Sequence, residues 1–197
     1  MLFEIQNKKI QYLVIKFIFM TLLDFFEYAA NLKKVKRQGW IDKIQIKNPE
    51  SVADHSYSMA IIAMIISDMK NCDSEKCLKM VLLHDLAESK IGDYTPEQIS
   101  KEEKIKLENK TILEIIENLP KDIGVRYLDI WKEYQEQITT ESVLVHQIDR
   151  IEMALQAKIY HQDGYSQEKL DTFFESARKE IFDSDLKELF TQIYRKK

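Results

Sequence analysis

Apolar residues recur along most of the chain at the three- and four-residue spacing of an amphipathic helix, and no stretch alternates convincingly with the period of two expected of a half-buried strand. The pattern predicts an all-α protein. Leu22, Phe25, Phe26, Ala29 and Leu32 give the first core-facing stripe, followed by a polar connection from Asn31 to Lys47. Ser51 and Asp54 have capping-box spacing and open a helix whose buried face continues through Met59, Ala60, Ile62, Ala63 and Ile66. Asp73 or Ser74 caps the next, which runs through Leu78, Val81, Leu82 and Leu86, with Met80 and Leu83 widening its apolar face. Gly92 stands where a left-handed residue would end it.

Thr95, Pro96 and Gln98 then read as an N-cap, a first-turn proline and a capping-box partner. The helix they open is expected to pass through Lys101–Asn109 as a solvated charged face, reach Ile112, Ile115 and Ile116, and stop near Pro120. A shorter helix carries Tyr127, Leu128, Trp131 and Tyr134. Thr139 or Thr140 caps another with Leu144, Ile148, Ile151, Leu155 and Ile159 on one stripe. Gln167 to Tyr194 reads as one or two amphipathic helices packed through Leu170, Phe173, Phe174, Ile181, Leu186, Leu189 and Phe190.

Composition sharpens this picture. With 197 residues, 45% of them hydrophobic, and only four glycines and three prolines, the chain suits one well-buried helical domain. A net charge of −4 without a basic stripe excludes extended nucleic-acid binding but leaves room for a local cationic pocket for one phosphate. Cys72 and Cys77 match neither a zinc knuckle nor a redox pair and read as reduced structural thiols. No run reaches the roughly 20 apolar residues of a membrane span. Tyr12–Leu23 resembles a signal core after Lys8 and Lys9, but Lys16 interrupts it and no small-residue cleavage site follows, so a cytoplasmic protein is expected.

The chemistry concentrates in Val81–Asp93, where an apolar helix puts His84, Asp85, Glu88 and Asp93 near one end. Burying unpaired charge is costly, so such a group calls for a partner, and a metal ion is the obvious one. On a continuous helix His84 and Asp85 would lie about 100° apart and could straddle one ion, with Glu88 one turn further on overlooking the same space. His55 falls in the first turn of the helix opened by Ser51, and Asp149 lies beside the stripe of the helix opened by Thr139 or Thr140. His55, His84, Asp85 and Asp149 form a nitrogen and oxygen set suited to a borderline divalent ion such as Mn, Co, Fe, Ni or Zn. By spacing alone His146, three residues before Asp149, is a rival ligand, and Asp149 itself could be a surface partner of Arg150. His161 has no evident partner.

The ordered strings Arg37-Gln38-Gly39-Trp40, Pro49-Glu50-Ser51-Val52-Ala53-Asp54-His55-Ser56, His84-Asp85-Leu86-Ala87-Glu88, Gly92-Asp93-Tyr94-Thr95-Pro96 and Asp149-Arg150-Ile151-Glu152-Met153-Ala154-Leu155-Gln156-Ala157 resemble the HD-domain metal-dependent phosphohydrolases, and among them the 5′-deoxynucleotidase branch. The resemblance spans Leu32 to Ala157. It implies a compact all-α HD-domain helical bundle, one divalent ion (Mg joining the metals above), and hydrolysis of deoxyribonucleoside 5′-monophosphates by a homodimer. It also implies His55, His84, Asp85 and Asp149 as ligands in preference to His146, Glu88 and Asp93 as catalytic groups, and Arg37 and Trp40 as substrate-binding residues. Gln38 and Gly39 separate Arg37 from Trp40, whereas bacterial members carry the pair side by side. Residues 20–197 are expected to form a single domain, with 1–19 an N-terminal extension, read as an extra helix or as the product of an upstream start with Met20 the usual beginning. Other readings are an HD phosphohydrolase for a cyclic nucleotide or alarmone, and a non-catalytic nucleotide-binding module. Alarmone hydrolases carry a Glu-Asp pair where Glu88 is followed here by Ser89.

Overall fold

The computed structural model describes residues 19–195. The expectation for the first 18 residues of the extension lies outside them. Residues 19–31 are helical (α1), and a single π-helical turn spans Trp40–Ile44. There follow α2 (Val52–Lys70), α3 (Ser74–His84), α4 (Glu88–Ile91), α5 (Lys101–Ile116), α6 (Lys121–Glu136), α7 (Thr140–Gln162), α8 (Gln167–Glu180) and α9 (Ser184–Arg195). The predicted all-α class holds: among the described residues the only β pairing is an isolated bridge between Lys36 and Ser51. No helix among them is long and apolar enough to cross a membrane.

α7 is the central element, packed on α2, α3, α6, α8 and α9. It is buried on more than one side, through Leu144, Val145, Ile148, Ile151, Met153, Ala154, Ala157 and Tyr160, while Ile159 of the expected stripe is largely exposed. One apolar cluster joins α2, α3 and α7 to α8 and α9. A second gathers Leu32, Val52, Leu83, Leu86, Ile112, Ile115, Ile116 and Trp131. Phe25 packs against this second cluster, but Phe26 and Ala29 stand on the outer face of α1. Both cysteines are free thiols, and burial pushes Cys77 up to about 12.

Three local features depart from the predicted elements, and each one shapes the site. α3 stops at His84, and Asp85 leaves the helix with φ −108° and ψ 10°. This break turns Leu86 and Ala87 into the core, at 2% and 0% exposure, and leaves Leu82 outside at 58%. α5 begins at Lys101, not Pro96, because Ser100 and Glu103 complete a reciprocal capping box. Thr95 and Gln98 close only a turn, with the Thr95 N–H donating to Gln98 Oε1 at 3.1 Å. Gly92 has φ 84° with ψ 167°, a mirror-image extended conformation open essentially to glycine alone, in place of the left-handed helical one expected. The connection between α1 and α2 is also less polar than it reads, since Trp40, Ile44 and Ile46 are buried in the first cluster.

Candidate metal centre

The two histidines are oriented by ordinary backbone rules. The predicted box at Ser51 is formed, with Ser51 N–H donating to Asp54 Oδ2 at 2.8 Å and Asp54 N–H to Ser51 Oγ at 3.2 Å. It places His55 at the buried start of α2. His55 Nδ1 is 2.5 Å from Glu152 Oε2, and His84 Nδ1 is 2.6 Å from the Val81 carbonyl, which must accept the proton. With each Nδ1 engaged, each Nε2 is turned inward: His55 Nε2 lies 3.3 Å from Asp149 Oδ1 and 3.9 Å from Asp85 Oδ2, and His84 Nε2 lies 3.0 Å from Asp85 Oδ2. Neither Nε2 has a hydrogen-bond partner among the described residues, although both are buried.

Two buried imidazole nitrogens left open beside two carboxylates are the arrangement a cation satisfies. His55, His84 and Asp149 can each bring one donor atom within 4.8 Å of the others, and Asp85 Oδ2 borders both rings. The residues present therefore fit a divalent ion. The charges agree. Although burial opposes it, Arg150, His55 and His84 hold Asp149 well below the usual carboxylate range. Asp85 is lowered in the same way, against burial, by His84, Arg37 and His55. Burial and Arg37 disfavour a charge on His55, but Asp149 and Glu152 outweigh them and push it up to about 10. Negative charge is thus concentrated beside the two open imidazole nitrogens.

The other predicted residues fall around this point. Glu88, on α4 and 1% exposed, engages Lys104 Nζ through Oε1 at 3.1 Å, while its buried Oε2 has no hydrogen-bond partner among the described residues. Burial, Asp85 and Asp93 raise Glu88 well above its ordinary value, against Lys104 and Arg37. Asp93 Oδ2 accepts the Gln38 N–H at 2.8 Å, which ties the turn after Gly92 to the segment carrying Arg37. Arg37 faces the same point: its Nη1 is 3.4 Å from Asp85 Oδ2, and Asp85, Asp93, Asp149 and Glu88 together outweigh burial and raise its pKa.

Trp40 is enclosed. Its ring stacks on Phe173 at 4.0 Å, meets Tyr160 edge-on at 5.1 Å, and donates its only N–H to Glu50 Oε1 at 2.8 Å. Asp149 does pair with Arg150, at 3.3 Å, but inside the site and not on the surface, for Asp149 is 8% exposed. His146 points elsewhere. Its Nε2 is 2.9 Å from the Tyr134 carbonyl and its ring stacks on Tyr134 at 4.1 Å, so His146→Ala is expected to retain full metal content. Metal quantification on that variant checks this, and a loss would make His146 a ligand. His161 Nδ1 faces the Tyr165 carbonyl at 3.3 Å at the far end of α7.

Sequence reasoning missed Glu152, Lys104 and Glu108. Glu152 had a readable signal: a carboxylate between Ile151 and Met153, three residues beyond Asp149, lies on the same helical face as that candidate ligand. Lys104 and Glu108 were concealed in the run taken for a solvated face, yet Glu108 is 9% exposed and burial, against Lys104, pushes it up to about 7.

The sequence profile of the HD domain family matches residues 29–190. A Dictyostelium discoideum protein named 5′-deoxynucleotidase HDDC2 is 40% identical, the match covering 87% of this chain and 95% of that one. The human protein of the same name is 34% identical over 88% of this chain and 84% of its own. A solved Pyrococcus horikoshii structure superposes with a TM-score of 0.72 at 30% identity, covering 89% of this chain and 99% of the other.

Proposed function

Because the chain belongs to the HD domain family, we propose that its function is the metal-dependent hydrolysis of deoxyribonucleoside 5′-monophosphates to deoxynucleoside and phosphate. It is a phosphoric monoester hydrolase, a 5′-deoxynucleotidase, in keeping with the names of its relatives in animals, amoebae and yeasts. The observation that carries the reading is the pair of buried Nε2 atoms of His55 and His84, without a hydrogen-bond partner among the described residues, facing the carboxylates of Asp85 and Asp149.

His55, His84, Asp85 and Asp149 would hold one divalent ion, for which a set of two imidazoles and two carboxylates suits Mn, Co, Fe, Ni or Zn better than Mg. When bound, it supplies positive charge that polarises the phosphoryl group and acidifies the attacking water. The rest of the chemistry belongs to the side chains. Glu88 orients the water and takes its proton at the free Oε2, and its raised pKa makes the ionised form a stronger base than an exposed glutamate. Asp93 manages the proton of the leaving 5′-oxygen, kept in place by the Gln38 N–H. Arg37 turns its planar fork to the phosphate oxygens, exchanging Asp85 for a better-matched anion. Trp40 contributes indirectly: it fixes Glu50, whose carbonyl accepts the Arg37 N–H at 3.2 Å, and so anchors the clamp from behind.

A homodimer completes the proposal. The outer face of α2 offers Tyr57, Ile61, Met64, Ile65 and Met69 to solvent, an apolar stripe a second copy would cover. The test of function is phosphate release from matched 2′-deoxy and ribo 5′-monophosphates, by chelated protein and after return of each divalent ion. Deoxynucleotides are expected to be cleaved faster, and only with metal present. Equal specificity constants for matched pairs would make the chain a broad phosphatase, and full activity in chelator would overturn the metal centre.

A further inference from the structure

Lys104 reaches from α5 into the cleft between α4 and the turn that follows Gly92. Its ammonium donates to Glu88 Oε1 at 3.1 Å and to the Tyr94 carbonyl at 3.3 Å, and lies 3.6 Å from Glu108 Oε1 and 3.8 Å from Asp93 Oδ1. The geometry points to Lys104 as a positioning residue for the hydrolysis, one that clamps the Glu88 and Asp93 carboxylates together in their working arrangement.

The inference rests on the assignment of Glu88 and Asp93 proposed above, and on three observations independent of it. Lysine has three donors, and here two are fixed on α4 and on the Asp93 turn while the third is left among Asp93 and Glu108, so one charge spans three chain segments. The clamp holds one Glu88 oxygen, leaving the other, buried and without a hydrogen-bond partner among the described residues, available to a water. The local balance is acidic as well. Glu88, Asp85, Glu108 and Asp93 surround Lys104, and Asp85, Asp93, Asp149 and Glu88 surround Arg37, while Lys90 on α4 is turned outward to Glu114. Without Lys104, the buried Glu88 carboxylate would face Asp85 and Asp93 with Arg37 as the remaining cation, and repulsion would drive the two catalytic groups apart. An exposed ion pair does little of this kind, but this one has a 1% exposed carboxylate at its end and a 29% exposed lysine above it.

Lys104→Met keeps the stem and removes the charge. We expect kcat to fall about 10–100-fold, the scale for losing a group that orients an active-site residue, with KM within about twofold and metal content unchanged. Lys104→Arg, which keeps both charge and donors, should restore most of the loss. If the lysine acts through Glu88, adding Lys104→Met to Glu88→Ala should cost less than about threefold more. Unchanged kcat in Lys104→Met, a raised KM at constant kcat, or fully multiplicative losses in the double variant would each overturn the inference. So would equal losses in the Met and Arg variants with a lowered unfolding temperature, the mark of a purely structural lysine. Should Glu88→Ala itself turn over normally, the assignment of Glu88 fails, which is distinguishable from any result on Lys104 alone.

Discussion

Glu88→Ala should retain its metal and bind a deoxynucleoside monophosphate almost normally, yet lose about 100-fold or more in turnover, the scale of an acid or base group acting in the transition state. The geometry separates the two effects. Glu88 is held through Oε1 by Lys104, and its buried Oε2 has no hydrogen-bond partner among the described residues, whereas Asp85 and Asp149 lie directly against the imidazole nitrogens. Its removal leaves Lys104 with the Tyr94 carbonyl, Glu108 and Asp93 as partners, so thermal unfolding of the variant is measured alongside to separate lost chemistry from lost stability. Substrate titration by calorimetry, metal quantification and single-turnover phosphate release on one preparation decide the matter. Lost metal would move Glu88 into the coordination shell, and unimpaired release would leave it a buried structural carboxylate.

Metal binding and activity should instead collapse together in Asp149→Asn, which keeps the shape of the side chain and removes the charge that His55, His84 and Arg150 are arranged around. The loss of affinity should exceed the roughly 10–100-fold typical of losing an outer hydrogen-bond partner of a ligand, for which Glu152→Gln, behind His55, is the internal standard. Thermal unfolding gives a second readout. An ion that binds only the folded chain at about 100 times its Kd stabilises by about 2.7 kcal/mol, so the unfolding temperature of the parent protein should rise on adding metal while that of Asp149→Asn stays put. Wild-type occupancy and turnover in Asp149→Asn would remove it from the ligand set.

The chain shows plainly which of these parts are local. Apolar spacing sets the helices, and the Ser51 and Thr139 capping boxes form as short-range pattern requires, because a cap depends on residues three positions apart. The order of His55, His84-Asp85 and Asp149 was legible for the same reason: each lies in a recognisable string, and each sits on the helix or helix end that string builds. Where two local signals competed, the reading went to the wrong one. Thr95, Pro96 and Gln98 were expected to open α5, but the reciprocal box of Ser100 with Glu103 sets its start at Lys101.

By itself, then, the sequence determined an all-α class, the caps at Ser51, Asp73 and Thr139, and the candidate residues for holding a cation, all properties of groups a few positions apart. Only the tertiary structure decided what each charge faces. Asp85 leaves α3 because Leu86 and Ala87 are drawn into the core, a choice made by α5 and α6. Glu152 becomes the partner of His55 across 97 residues, and Glu50 meets Tyr160 across 110. Lys104 turns from a solvated face toward Glu88, and Trp40 is closed between Phe173 and Tyr160 from α8 and α7. Burial and Coulomb interactions depend on distance in space, and the same Lys or Trp has a different energy according to which distant helix arrives beside it.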